Sequence, residues 1–130
     1  MHVIRLHGPW TLEMGAGEAA ESRRVHLPRE WSLVTNAAAT SAVALVRRFH
    51  RPTGLDEGTR VGLAVPAGWP VCQILVNGVR LADLRAGEKR VFDLSGIIRS
   101  RDAHDLRIEF ARDAELKTQP YLVAMEIADH

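Results

Sequence analysis

The sequence predicts an all-β fold built as an antiparallel β-sandwich, and three observations carry that prediction. Asn77-Gly78 separates two β-rich runs, Val71 to Val76 and Val79 to Leu84. Two such runs joined by an Asn-Gly pair are the strongest local mark of a hairpin, because a type I′ turn needs positive φ at both central residues. Alternation of apolar and polar residues, the period of a half-buried strand, recurs in short runs from Ile4 to Ile127. These runs are punctuated by Gly, Pro and charged clusters at the spacing of a sandwich, and no helical period competes with them.

In chain order, Ile4, Leu6, Trp10, Leu12 and Met14 occupy alternate positions around Gly8-Pro9, which predicts a strand, a kink and a second strand with Trp10 as a core anchor. Gly15 to Ser22 reads as a loop, and Arg24 to Leu27 as a short strand ended by Pro28. The stretch from Arg29 to Ala42 has an alanine-rich run without an amphipathic period and reads as a long connection. Val43 to His50 is a strand whose alternation places Arg47 beside Val43, Leu45 and Phe49 on the apolar face. A charge buried alone costs several kcal/mol, so Arg47 is expected to be largely buried and paired with a carboxylate, Asp93 or Asp105. Thr59 to Val65 follows as a strand, then the turn Pro66 to Pro70 and the central hairpin. Arg85 to Glu88 is a turn, Arg90 to Leu94 a strand, and Ser95 to Ser100 one helical turn. Leu106, Ile108 and Phe110, then Tyr121, Val123, Met125 and Ile127, alternate inward, the last group at an edge or beside the first strand. The count is eight or nine strands.

A chain of 130 residues suits one domain, spanning 1–130, with a core that needs no disulfide or metal. Seventeen basic residues against sixteen acidic ones, spread without runs, argue against nucleic acid or an anionic membrane as partner. The single Cys72 cannot form an intrachain disulfide, and its place in an apolar strand reads as a buried small hydrophobe. Met1 to His7 has no leader pattern and no apolar run reaches membrane length, so a cytoplasmic protein is expected.

Several segments resemble, in order, the N-terminal sugar-binding domain of family 2 glycoside hydrolases, the β-galactosidase and β-glucuronidase group. They are Ile4 to Trp10, Val25 to Trp31, Leu45 to Pro52, Ile74 to Gly78, Phe92 to Ser95 and Asp105 to Ile108. The resemblance implies a galactose-binding-like jelly roll with an accessory role. Leu84 to Arg90 departs from the family as a short charged segment, Asp105 stands for its asparagine, and Leu45 for its aromatic residue. The catalytic glutamates of that family sit in a downstream barrel, and this chain carries no counterpart of them.

Glycoside hydrolysis needs two carboxylates held across a sugar ring. The acids Asp56, Glu57, Asp102 and Asp105 fall in turns, where a solvated charge is the plain reading. No Gly-x-Ser-x-Gly elbow and no histidine pair at ligand spacing occurs, so no catalytic residue, metal or cofactor is expected and the chain is not read as an enzyme. Trp31 and Trp69 fall in connections, where each ring either plugs an end of the sandwich or offers a face to a sugar. Trp69 with Asn77, Arg80 and Asp83, beside the hairpin, forms the candidate ligand site. Trp10, Arg47, Asn77, Gly78 and Asp93 are the expected structural residues. The predicted function is non-catalytic carbohydrate binding. The alternative is a structural or interaction domain whose partner is another protein or a second copy.

Overall fold

The computed structural model describes residues 2–15, 20–66, 69–86, 89–111 and 123–128. Along the chain these form β1 (His2–Arg5), β2 (Gly8–Met14), β3 (Glu21–Leu27), α1 (Trp31–Ala38), β4 (Val43–His50), β5 (Arg60–Pro66) and β6 (Val71–Val76). They continue as β7 (Val79–Arg80), β8 (Asp83–Ala86), β9 (Lys89–Asp93), a 3-10 turn (Ile97–Arg99), β10 (Ala103–Phe110) and β11 (Ala124–Ala128). One sheet has the order β1-β11-β5-β9-β8 and the other β3-β2-β4-β10-β6-β7. Every pairing is antiparallel. The expected jelly-roll-like sandwich is thus the observed fold.

Alternation fills the space between the sheets. Leu12, Leu45, Ile74, Leu106 and Ile108 from one sheet meet Val61, Leu63, Val65, Phe92 and Met125 from the other, all buried. Trp10 is the anchor its position implied, and its indole N–H donates to the Leu6 carbonyl at 3.0 Å. The kink before it depends on Gly8, whose φ of 101° L side chains rarely adopt. Asn77 at φ 54° and Gly78 at φ 79° make the hairpin turn the sequence called for.

Four expectations need correction. The second hairpin strand does not run from Val79 to Leu84. It stops at Arg80, the Leu81 N–H donates to Ile74, and Ala82 accepts from Asp93 of the other sheet, so the chain changes sheets here and continues as β8. Leu81 is buried while Val79 is exposed, so period 2 breaks at the crossing. The connection from Arg29 to Ala42 contains α1, whose buried residues Trp31, Val34 and Ala38 follow the helical spacing i, i+3, i+7. Cys72 is exposed rather than buried. Ladder register runs from Glu109 opposite Gln73 to Phe110 opposite Val71, so Cys72 is the extra residue of a bulge and its neighbours change face around it. Strands number eleven among the described residues rather than eight or nine, the hairpin arm being split into β7 and β8. Tyr121 and the turn residues Gly87 and Glu88 lie outside the described residues.

Candidate functional site

The outward face of the six-stranded sheet is where polar chemistry collects. Cross-strand partners in an antiparallel ladder share a face, and the registers set one row across all six strands: Arg24, Thr11, Val46, Arg107, Leu75 and Arg80. Arg107 is held in place. Its Nη1 donates to Glu13 at 2.5 Å and its Nε to Glu109 at 2.7 Å, while Gln73 donates to the other Glu109 oxygen at 2.6 Å. The hydrogen bond from Arg107, then that from Gln73, holds the Glu109 carboxyl below its ordinary value, and the two carboxylates raise the guanidinium in turn.

A hollow of about 200 Å³ borders this network at Glu13, Arg107 and Glu109, and two larger ones open elsewhere. The larger of these two, about 650 Å³, lies where the segment after β4 meets the 3-10 turn and is lined by His50, Arg51, Pro52, Gly54, Arg99 and Asp102 among others. Its guanidiniums are already engaged. Arg51 pairs with Asp102 at 2.6 Å, and Arg99 donates to the carbonyls of Ser95, Asp56 and Thr59. That hollow is a loop junction tied by arginines. The smaller, about 390 Å³, lies over β2, β3 and β4 and is lined by Pro9, Trp10, Thr11, Arg24, Val46, Arg47, Arg48 and Asp105. Among the described residues, neither Arg24 nor Arg48 has a hydrogen bond or ion pair to its guanidinium. Asp105 stands directly across the ladder from Arg48. This hollow joins an apolar rim, a hydroxyl, three guanidiniums and one carboxylate.

Arg47 is half-buried rather than largely buried. Its guanidinium donates to the His7 carbonyl and lies over the Trp10 ring, 5.7 Å from the centroid. A carbonyl and a π face accept the charge at the rim, where it keeps part of its hydration. Asp93, one of its expected partners, accepts the Ser95 N–H at 2.9 Å.

The four residues expected to bind ligand do not converge, and none lines either hollow. Trp69 is 2% exposed. One face of its ring stacks on Trp31 at 4.8 Å and 7°, and Phe110 packs against it at 5.7 Å, so a sugar has no face to meet. Asp83 pairs with Arg90, whose Nη1 also donates to the Val71 carbonyl of the opposite sheet. Arg80 is exposed on the edge strand β7. Asn77 clips the turn to β10: its Oδ1 accepts the Asp105 N–H at 2.9 Å and its Nδ2 meets His104 Nδ1 at 3.0 Å. His104, 1% exposed, bonds the Ile98 carbonyl through Nε2 at 3.1 Å. A carbonyl only accepts, so Nε2 carries the proton and Nδ1 receives the Asn77 amide. His104 was not among the residues singled out from the sequence, although its position in phase with Leu106 and Ile108 marks it as inward-facing. Among the described residues no group of three or more His, Cys, Asp or Glu could hold a metal ion, and no helix is long and apolar enough to cross a membrane.

No protein-family model and no curated protein matches the chain. Among solved structures it is similar to an FMN-binding β-glucuronidase from Facaelibacterium prausnitzii L2-6, with a TM-score of 0.66 and 20% identity over 97% of this chain and 22% of that one. It is also similar to Bifidobacterium dentium β-glucuronidase complexed with coumarin-3-O-glucuronide, with a TM-score of 0.60 and 19% identity over 84% of this chain and 20% of that one. The chain has the fold of a domain of these glycoside hydrolases. It spans about a fifth of their length.

Proposed function

We propose that the chain is a non-catalytic, carbohydrate-binding accessory domain and that sugar binds in the hollow over β2, β3 and β4. One observation carries this reading: the hollow's lining is two-sided. Pro9 and Val46 suit the C–H face of a pyranose, while Thr11, Asp105 and the guanidiniums of Arg24 and Arg48 suit its hydroxyls. The fold shared with β-glucuronidases, one of them complexed with a glucuronide, supports a sugar as the ligand class. Their length, more than four times that of this chain, supports an accessory role.

The test is a glycan array on the full chain, read beside the mass of the particle in solution. The expected result is retention of a saccharide that Thr11→Trp, which fills the hollow, abolishes while the thermal transition is kept. A silent array with a stable dimer or a stoichiometric co-purifying protein overturns the reading in favour of an interaction domain. Hydrolysis of chromogenic glycosides at the rate of a dedicated enzyme overturns the non-catalytic part.

A further inference from the structure

The lining of the β2–β3–β4 hollow has an imbalance of charge that the chain as a whole does not share. Seventeen basic and sixteen acidic residues make the protein nearly neutral, yet three guanidiniums face this one concavity against a single carboxylate. Elsewhere among the described residues four arginines are tied into the fold, while Arg5, Arg23, Arg29, Arg80 and Arg101 are exposed and scattered rather than gathered at one hollow. Arg51, Arg90, Arg99 and Arg107 all donate to carboxylates or carbonyls. Arg24 and Arg48 donate to neither, and they stand on neighbouring sides of β2, one on β3 and one on β4. Arg47 completes the wall with its guanidinium fixed over Trp10. Like charges drawn together on rigid strands repel one another, and a hydrophobic or hydrogen-bonding role does not require three of them. An anion among them offsets that repulsion, and planar guanidinium forks match the oxygens of carboxylates and sulfate esters.

We propose that this hollow selects acidic saccharides, the charge being a carboxylate or a sulfate ester seated between Arg24 and Arg48. The proposal rests on the carbohydrate-binding reading above and adds the ligand's charge to it. Asp105 limits the preference, because its carboxylate lies opposite Arg48 and opposes an incoming anion.

Calorimetric titration of the full chain with an oligogalacturonate, a sulfated disaccharide, a neutral cello-oligosaccharide and sodium sulfate tests it. At low salt, at least one acidic saccharide is expected to bind about tenfold or more tightly than the neutral one, the loss that removal of one charge-assisted contact brings. Which acidic arm responds identifies the group that carries the charge. Arg48→Ala is expected to weaken that binding about tenfold, Arg80→Ala on the same sheet face to leave it unchanged, and Asp105→Asn to strengthen it. Equal loss from Arg48→Ala and Arg80→Ala, or equal competition by sulfate alone, overturns the proposal as a diffuse or adventitious anion effect. Neutral saccharide bound as tightly as acidic ones overturns it and leaves the carbohydrate reading standing. Silence in all four arms removes both.

Discussion

At the scale of single residues, the sandwich depends on a few polar side chains that join segments distant in sequence, and Asn77 is the most consequential. It tolerates the positive φ that the turn requires, and its amide ties that turn to the β10 backbone and to the buried His104 ring. Asn77→Ala removes the tolerance, both amide bonds and the partner of His104 Nδ1. Asn77→Gly removes only the bonds. Urea titration is expected to show a loss of about 2–4 kcal/mol for alanine and a smaller loss for glycine, the difference being the cost of the left-handed backbone. Equal losses would place the whole effect in the hydrogen bonds. The turn itself was legible, since Asn-Gly between β-rich runs states it outright. The bond to His104 was not, because which histidine faces inward depends on the sheet's phase. The expected ligand residues lie apart for the same reason. Nearness to the hairpin in sequence put Trp69 and Asp83 together, whereas packing sends one ring into the core against Trp31 and commits the other side chain to Arg90. The hollow that replaces them draws residues from β2, β3, β4 and β10, a set that only strand order reveals.

Elements were legible wherever period 2 held without interruption, as in β4 and β10, and illegible where the period changed. The bulge at Cys72 reverses the phase inside β6, and the crossing at Leu81 ends β7 after two residues. In α1 the three residues that carry the helical period are spread over a short alanine-rich stretch, so little contrast marks them. Between elements, the chain from Glu13 on β2 through Arg107 and Glu109 on β10 to Gln73 on β6 crosslinks strands of the six-stranded sheet on its outward side. Because Glu109 is held below its ordinary value of 4.5, its contribution to stability is complete above that pH. It is lost as pH falls through the lower folded-state value, where the native carboxylate also takes up its proton. Wild-type stability is therefore expected to decline on acidification below about pH 4.5 more steeply than that of Glu109→Gln. Both are followed by urea midpoints from pH 6 downward. Parallel slopes would mean that the network gives no net stabilisation, the usual outcome for exposed ion pairs.

For the whole molecule, the order of strands in the five-stranded sheet decides which end of the chain the fold can lose. β1 lies at the edge and pairs with β11 alone, His2 opposite Ile127 and Arg5 opposite Ala124, and three of its four residues are exposed. β11 lies inside, with β1 on one side and β5 on the other, and brings Ala124 and Met125 into the core. Removing residues 1–5 strips one edge ladder and leaves β11 as a new edge, whereas removing 124–128 uncovers β5, orphans β1 and opens the core above Leu63. An edge strand can be lost at modest cost because the groups it uncovers are rehydrated, but a central strand takes two ladders and its buried side chains with it. Deletion of residues 1–5 is expected to leave a cooperative thermal transition at a lower midpoint. Deletion of 124–128 is expected to leave none, with a disordered far-ultraviolet dichroism spectrum or insoluble protein. A cooperative transition in the second variant would mean that the six-stranded sheet, with β5, β8 and β9 resting on it, holds a core without its C-terminal strand.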